Sequence, residues 1–380
     1  MPELPEVETV RRGLERLIVG RTIAGIEAIE PSSLTGVAAN AVGQPVTGLR
    51  RRGKVLVIDL DKGISMVAHL KMTGQLVLRS PAGAASGPTA TSKPTGDHAA
   101  AASAASNGPT GGTAGAPVAA PPRRQAATPA LPGVSPTTAS VPNSGAAGVS
   151  PIGTAAIEAG EAWGGGHPSD SLIGPLPDNS TRVVIRFTDG SRLYFNDQRK
   201  FGWLAVMPTA EVGAIPLLAK MGPEPFGPQA WPEFRRRARR HRRAPIKAVL
   251  LDQAVVAGIG NIYADEALWA ARIHPETPIG ALSDPKLKEL LIAAGEVMDL
   301  SLKLGGSTDR NYVDAEGRRG AYLDFAQVFR RQGRPCARCD TTIIKTRVAG
   351  RGTHLCPRCQ RRRQLPAPPA PKATPPPSDG

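Results

Sequence analysis

Residues 336–359 read CARCDTTIIKTRVAGRGTHLCPRC and contain every cysteine of the 380-residue chain. The spacing C-x2-C-x16-C-x2-C offers four thiolates for one tetrahedral site, and TTIIKTRVAGRGTHL between the pairs reads as two short strands turning at Gly350-Arg351-Gly352. Two unrelated CxxC pairs, or redox cysteines, are the competing readings. A closed four-thiolate site leaves no open position for substrate, so Cys336, Cys339, Cys356 and Cys359 are expected to hold one structural Zn2+. Arg351, at the hairpin tip, is a candidate phosphate contact or groove probe.

Upstream of this module the pattern is helical. KAVLLDQAVV from Lys247, YADEALWAARI from Tyr263 and the amphipathic run Pro285 to Leu304 predict helices. Gly258, Gly260 and Asn261 fall in a tight connection whose backbone N–H groups suit a DNA phosphate, although GxGN alone fits any helix hairpin. RRRARRHRR, residues 235–243, is a candidate addition to a DNA-facing field or a solvated helix face. Farther upstream the chain is β-like: VLVIDL from Val55, ISMVAHL from Ile64, QLVLR from Gln75, RVVIRF from Arg182 and RLYF from Arg192. At the amino end Leu4, Val7, Val10, Leu14, Leu17 and Ile18 recur at helical spacing, with Pro5 in the first turn and carboxylates preceding arginines.

From Ser80 to Pro177 the composition shifts to Ala, Gly, Pro, Ser and Thr, with seven charged residues, three positive and four negative. Such a stretch buries too little apolar surface to offset its ordering entropy, and it is expected to be a disordered insertion between strands. Of the chain's net charge of +15 this stretch contributes −1, so the rest carries about +16, which points to a polyanionic partner. No window of about 18 apolar residues occurs, and MPELPEVETV is unlike a secretory signal, so a soluble cytoplasmic protein is expected.

Taken in order, MPELPEVETVRRG, RRGKVL around Lys54, HLKMTGQL around Met72, NDQRKFG around Phe201, MGPEPF, GIGNIYADEALW, GGSTDRNYV and the paired CxxC set resemble bacterial formamidopyrimidine-DNA glycosylases. The resemblance implies an α+β multidomain chain: an N-terminal helix with a two-layer antiparallel β-sandwich (residues 1–79 and 178–210), split by the 80–177 insertion. A helical domain with a helix-two-turns-helix element (211–330), a zinc ribbon (331–362) and a disordered Pro-rich tail (363–380) follow. The implied activity is excision of oxidised purines, 8-oxoguanine and formamidopyrimidines, from double-stranded DNA in base excision repair, with lyase cleavage at the resulting or pre-existing abasic site. The implied protein is a nucleoid-associated monomer.

In that resemblance Pro2, freed of the initiator methionine, is the imine-forming nucleophile, and Glu3 is the acid and base, with Glu6 a secondary candidate for ordering the site. Lys54 contacts phosphate and the damaged site. Met72, Arg199 and Phe201 fill the void left by base extrusion; core packing is the competing reading for the two apolar members. Asn261 and Arg351 grip the flanking phosphates, and Lys247 and Arg310 are further phosphate or lesion-loop candidates. One departure stands out: the histidine that family members often carry before the strand at Val183 is replaced by the run Asp178-Asn179-Ser180-Thr181-Arg182. Two other functions stay open on residues alone: an endonuclease VIII-type enzyme for oxidised pyrimidines, and a catalytically silent protein that binds damaged DNA.

Overall fold

The computed structural model describes residues 2–81, 162–166, 174–307 and 320–365. Arg310, most of the 80–177 stretch and residues 366–380 of the tail lie outside the described residues.

The amino-terminal helix α1 spans Leu4–Ile18, with Pro5 in its first turn. Its apolar stripe divides between two cores. Val7, Val10, Leu14 and Ile18 pack among strands, whereas Leu4 joins the helical core around Tyr263, Leu268 and Leu290. Pro2 and Glu3 consequently sit where the two cores meet.

Two five-stranded sheets face each other. One has the order β1-β8-β9-β6-β7 and the other β2-β10-β5-β4-β3; the strands are β1 Ile23–Ala28, β2 Leu34–Gly36, β3 Val46–Arg52, β4 Val55–Leu60, β5 Ile64–His69, β6 Gly74–Arg79, β7 Ala162–Gly166, β8 Thr181–Phe187, β9 Arg192–Asp197 and β10 Trp203–Pro208. Alternation sends Leu56, Ile58 and Leu60 of β4 into the sandwich, while Val55 and Val57 meet Val212, Met221 and Ala257 on the opposite face. Burial on both faces explains why VLVIDL is nearly continuous in apolar residues.

Two details of the sheets differ from the sequence expectation. The short β2 pairs parallel to β10, so the sandwich is not wholly antiparallel. Ala162–Gly166, inside the stretch expected to be disordered, pairs with β6 as an edge strand. Backbone hydrogen bonds need no apolar run, and Trp163 supplies the buried anchor. A Cβ on Gly165 would lie 2.9 Å from Val10 Cγ2, so the glycines that suggested disorder instead let the strand approach α1.

The helical part contains Ala230–Ala238, Ile246–Leu251, Asn261–Ala270 and Asp284–Lys303. The helix expected through Val256 stops at Leu251, because Asp252 Oδ1 accepts the Ala254 N–H at 2.9 Å and opens a turn. Gln253 then ties the connection: its Oε1 accepts the Gly258 N–H and its Nε2 donates to Leu251 O and Ile259 O. Much of the arginine run serves this fold rather than an outward field: Arg235 and Arg239 pair with Asp284, and Arg236 and Arg237 with Glu233. The carboxy-terminal hairpin joins β11 Ile344–Val348 to β12 Arg351–Leu355. Its turn is at Ala349-Gly350, both with positive φ, one residue earlier than expected, which makes Arg351 the first residue of β12.

Candidate active site

Pro2 is buried, and Glu3 follows it as the N-cap of α1, 3% exposed. Glu3 Oε2 accepts the Gly260 N–H at 2.6 Å and Oε1 accepts the Ile262 N–H at 3.0 Å, which places the carboxyl across the start of the Asn261–Ala270 helix. This approach needs glycine: a Cβ on Gly260 would lie 2.3 Å from Glu3 Cδ, and one on Gly258, at φ +90°, 2.5 Å from Leu4 Cδ1. Burial raises the Glu3 pKa to about 7 against the lowering effect of Lys54. A carboxyl so placed exchanges its proton near neutral pH.

Glu6 orders the same corner. It accepts the Glu3 N–H at 2.8 Å, the Tyr263 hydroxyl at 2.5 Å and both the backbone N–H and hydroxyl of Ser307 at 2.8 Å. Lys54, 5% exposed, donates to Ile259 O at 2.9 Å. Burial pulls its pKa down, while the charges of Glu3 and Glu6 oppose that shift. Lys54 is thus no solvated strand-end lysine.

The ribbon tip borders this corner. Arg351 is exposed, has no hydrogen-bond or ion-pair partner for its guanidinium among the described residues, and its charge is felt by both Lys54 and Lys247. Asn261 Nδ2 donates to Gly352 O at 3.0 Å, and its Oδ1 is buried without a partner. Lys247 departs from expectation. It is completely buried, and its ammonium is shared among Asp265 Oδ1 at 2.6 Å, Thr353 Oγ1 at 2.7 Å and Gly352 O at 3.1 Å. Three protein partners leave it no donor for phosphate, so its place is to fasten the ribbon to the helices.

Met72, Arg199 and Phe201 come together from two segments. Met72 is 39% and Phe201 54% exposed, which excludes core packing for both. Arg199 bridges them: Nη1 lies 3.0 Å from Met72 Sδ, and the guanidinium carbon 4.9 Å from the Phe201 ring centroid. Arg182, at the departure from the family pattern, is buried and donates through Nε to Asp197 O at 2.8 Å, so that position carries a cation committed to the fold.

The four cysteine sulfurs all lie within 4.8 Å of one another, close enough to serve as the four thiolate ligands of one zinc. Trp269 Nε1 donates to Cys336 Sγ at 3.4 Å, and Arg338 stacks 3.6 Å above the same indole, tying the metal site to the Asn261–Ala270 helix. With every thiolate a ligand, the zinc is structural and holds the ribbon that carries Arg351.

Several residues at these sites were not singled out from sequence. Asp265 joins Lys247 to His354, accepting the His354 N–H at 2.9 Å. Glu266 accepts the backbone N–H groups of Gln327, Val328 and Phe329 at 2.7–2.9 Å. Asp197 gathers the two segments that carry Met72 and Phe201. The available signal was a carboxylate inside an otherwise recognised motif, and its partners are distant in sequence.

Comparison with known proteins agrees with this layout. Residues 1–108 match the formamidopyrimidine-DNA glycosylase N-terminal domain, 221–312 the formamidopyrimidine-DNA glycosylase H2TH domain, and 333–362 the zinc finger found in FPG and IleRS. A formamidopyrimidine-DNA glycosylase of Geobacillus kaustophilus is 35% identical over 368 residues, 95% of this chain and 100% of that protein. Among solved structures, the complex between Lactococcus lactis Fpg and DNA containing an abasic site aligns with a TM-score of 0.65 at 28% identity, covering 95% of this chain and 100% of that one. The wild-type Lactococcus lactis protein with oxidised-pyrimidine DNA gives 0.64 at the same identity and coverage. Among the described residues no helix is long and apolar enough to cross a membrane. Three family segments in order, on a chain that aligns over 95% of its length with such a relative, establish that it belongs to the formamidopyrimidine-DNA glycosylase family.

Proposed function

We propose that this chain is a bifunctional DNA glycosylase and abasic-site lyase that removes oxidised purines, 8-oxoguanine and formamidopyrimidines, from double-stranded DNA in base excision repair. The observation that carries the proposal is the corner at Pro2: a carboxyl with a pKa of about 7 directly follows the candidate nucleophile, with the Lys54 ammonium close enough to perturb it. Removal of Met1 leaves Pro2 with a secondary amine whose lone pair attacks C1′ of the damaged nucleotide. The glycosidic C–N bond breaks, its electrons leave with the base, and Glu3 protonates the ring oxygen as the sugar opens. The resulting iminium draws electrons from C2′, so loss of a C2′ proton expels the 3′ phosphate and a further elimination expels the 5′ phosphate. Glu3 shuttles the protons, Lys54 and Arg351 hold the lesion phosphates with Asn261, and Met72, Arg199 and Phe201 occupy the vacated stack.

The division of labour follows the boundaries read from sequence, with Ala162–Gly166 added to the sandwich of 1–79 and 178–210, helices in 211–330 and the ribbon in 331–362. We infer that the protein works as a cytoplasmic monomer on nucleoid DNA. Acceptance of oxidised pyrimidines is a second reading, favoured by the Lactococcus lactis complex with such DNA. The test is borohydride trapping on duplexes carrying one 8-oxoguanine opposite cytosine or one oxidised pyrimidine, with wild type and Pro2→Gly. A reduced adduct that requires Pro2, together with strand cleavage, is the expected result, and the preferred duplex ranks the two substrates. Tight binding without an adduct on either would leave a damage-binding protein instead.

A further inference from the structure

Asp197 ends β9 and is fully buried. Its carboxylate is met by one hydroxyl and three backbone N–H groups. Oδ1 accepts from the Thr73 hydroxyl and from the Arg199 N–H at 3.1 Å, and Oδ2 from Phe201 N–H at 2.8 Å and Gly202 N–H at 2.6 Å. The Arg199 N–H is shared with Thr73 Oγ1, also at 3.1 Å. Every one of these donors belongs to a segment that presents Met72, Arg199 or Phe201, and Thr73 is the link between the two segments.

The backbone shows what the carboxylate opposes. Lys71 has φ 50° and Lys200 φ 56°, a left-handed conformation uncommon for residues with a Cβ. Each directly precedes an exposed apolar side chain, Met72 in one segment and Phe201 in the other. Such outliers persist where surrounding structure over-determines them. Here the surrounding structure includes the buried Asp197 carboxylate, which holds Thr73 and Phe201 close after the two lysines, and His69 Nδ1, which accepts the Lys71 N–H at 2.9 Å. Gly202 reinforces it, since a Cβ there would lie 2.8 Å from Phe195 Cζ.

We propose that Asp197, acting with Thr73, is the positioning residue that locks Met72, Arg199 and Phe201 into one wedge before DNA is engaged. The proposal rests on the void-filling reading of those three side chains. Preorganisation removes the ordering cost that two free loops would incur at the moment of base extrusion.

The experiment uses the full chain with Asp197→Asn, Thr73→Val, Thr73→Ser, Met72→Ala and Phe201→Ala. Asparagine turns an amide donor toward N–H groups, valine removes the hydroxyl at constant shape, and serine restores it. Three quantities are read: single-turnover excision of 8-oxoguanine opposite cytosine, fluorescence of a 2-aminopurine beside the lesion, and borohydride trapping on a single-stranded abasic oligonucleotide, which needs Pro2 but no wedge. Asp197→Asn and Thr73→Val are expected to excise about 10- to 100-fold more slowly, with a weakened fluorescence change and undiminished single-strand trapping. Thr73→Ser should recover the wild-type rate. If Asp197→Asn fails to fold, the valine and serine pair carries the test. Valine and serine variants both matching wild type, with Met72→Ala and Phe201→Ala impaired, would overturn the positioning role alone. Wild-type excision by Met72→Ala and Phe201→Ala would overturn the wedge reading and this proposal with it.

Discussion

At the start of α1 the protein buries charge, and at residues 72 and 199–201 it exposes apolar surface. Glu3, Glu6 and Lys54 are each at most 5% exposed, while Met72 and Phe201 face solvent. Both arrangements run against ordinary partitioning, in which ionisable groups stay wet and large apolar groups are covered. The fold compensates for them differently. In the corner, backbone N–H groups of Gly260 and Ile262 and the carbonyl of Ile259 satisfy the buried charges. In the wedge, Met72 and Phe201 face solvent with Arg199 between them, and the support lies underneath, in Asp197 and Thr73. The corner is therefore part of the stability of the molecule, and the wedge is an appendage whose cost is local.

The largest way to separate the two is through zinc. Chelation, or Cys356→Ser, should unfold the ribbon, because structural zinc in such modules contributes on the order of 10 kcal/mol of apparent binding energy. The ribbon backbone at Gly352 holds Asn261 and Lys247, so the corner should lose its grip on DNA while the sandwich strands persist. Duplex binding measured before and after readdition of Zn2+ checks this; binding unaffected by metal loss would detach the ribbon from the corner.

Glu3→Gln comes next, with excision expected to fall by about 10²- to 10⁴-fold, the range typical of a general acid and base. Single-turnover kinetics under conditions of equal duplex occupancy make the measurement, and a loss of binding without a slower chemical step would contradict the assigned role. Phe201→Ala should sharpen the contrast. Its unfolding midpoint in urea should indicate a change within about 0.5 kcal/mol, as for other exposed positions, while excision slows by about tenfold. A large stability loss would mean that the ring belongs to a core.

A further test is the pH dependence of stability. The folded Glu3 pKa, about 7, lies above the ordinary 4.5, so the folded state binds this proton more tightly. Its contribution is fully present below pH 4.5 and is lost as pH rises through 7. Wild type should lose on the order of 2–3 kcal/mol between pH 5 and 8 relative to Glu3→Gln. Parallel urea titrations at the two pH values measure it, and equal slopes for the two proteins would remove Glu3 as the titrating group.

Local pattern alone determined the amino-terminal helix, the strands around Val55 and Val183, the four-cysteine set and the composition break at Ser80, since each depends on neighbours within a few residues. Motif resemblance added Pro2, Glu3 and the wedge trio. What tertiary structure decided was the use of each charge. Lys247 and Lys54 are both lysines in recognised motifs, yet one closes a buried ion pair with Asp265, 18 residues on, and the other reaches Ile259 O, 205 residues away. The composition around Ala162–Gly166 predicts disorder because it offers little apolar surface to bury, and only its pairing with β6 and the space beside Val10 make it a strand. Periodicity records which side of an element is dry, whereas the partner of a buried charge is chosen by whichever distant backbone the packed chain brings within hydrogen-bonding distance.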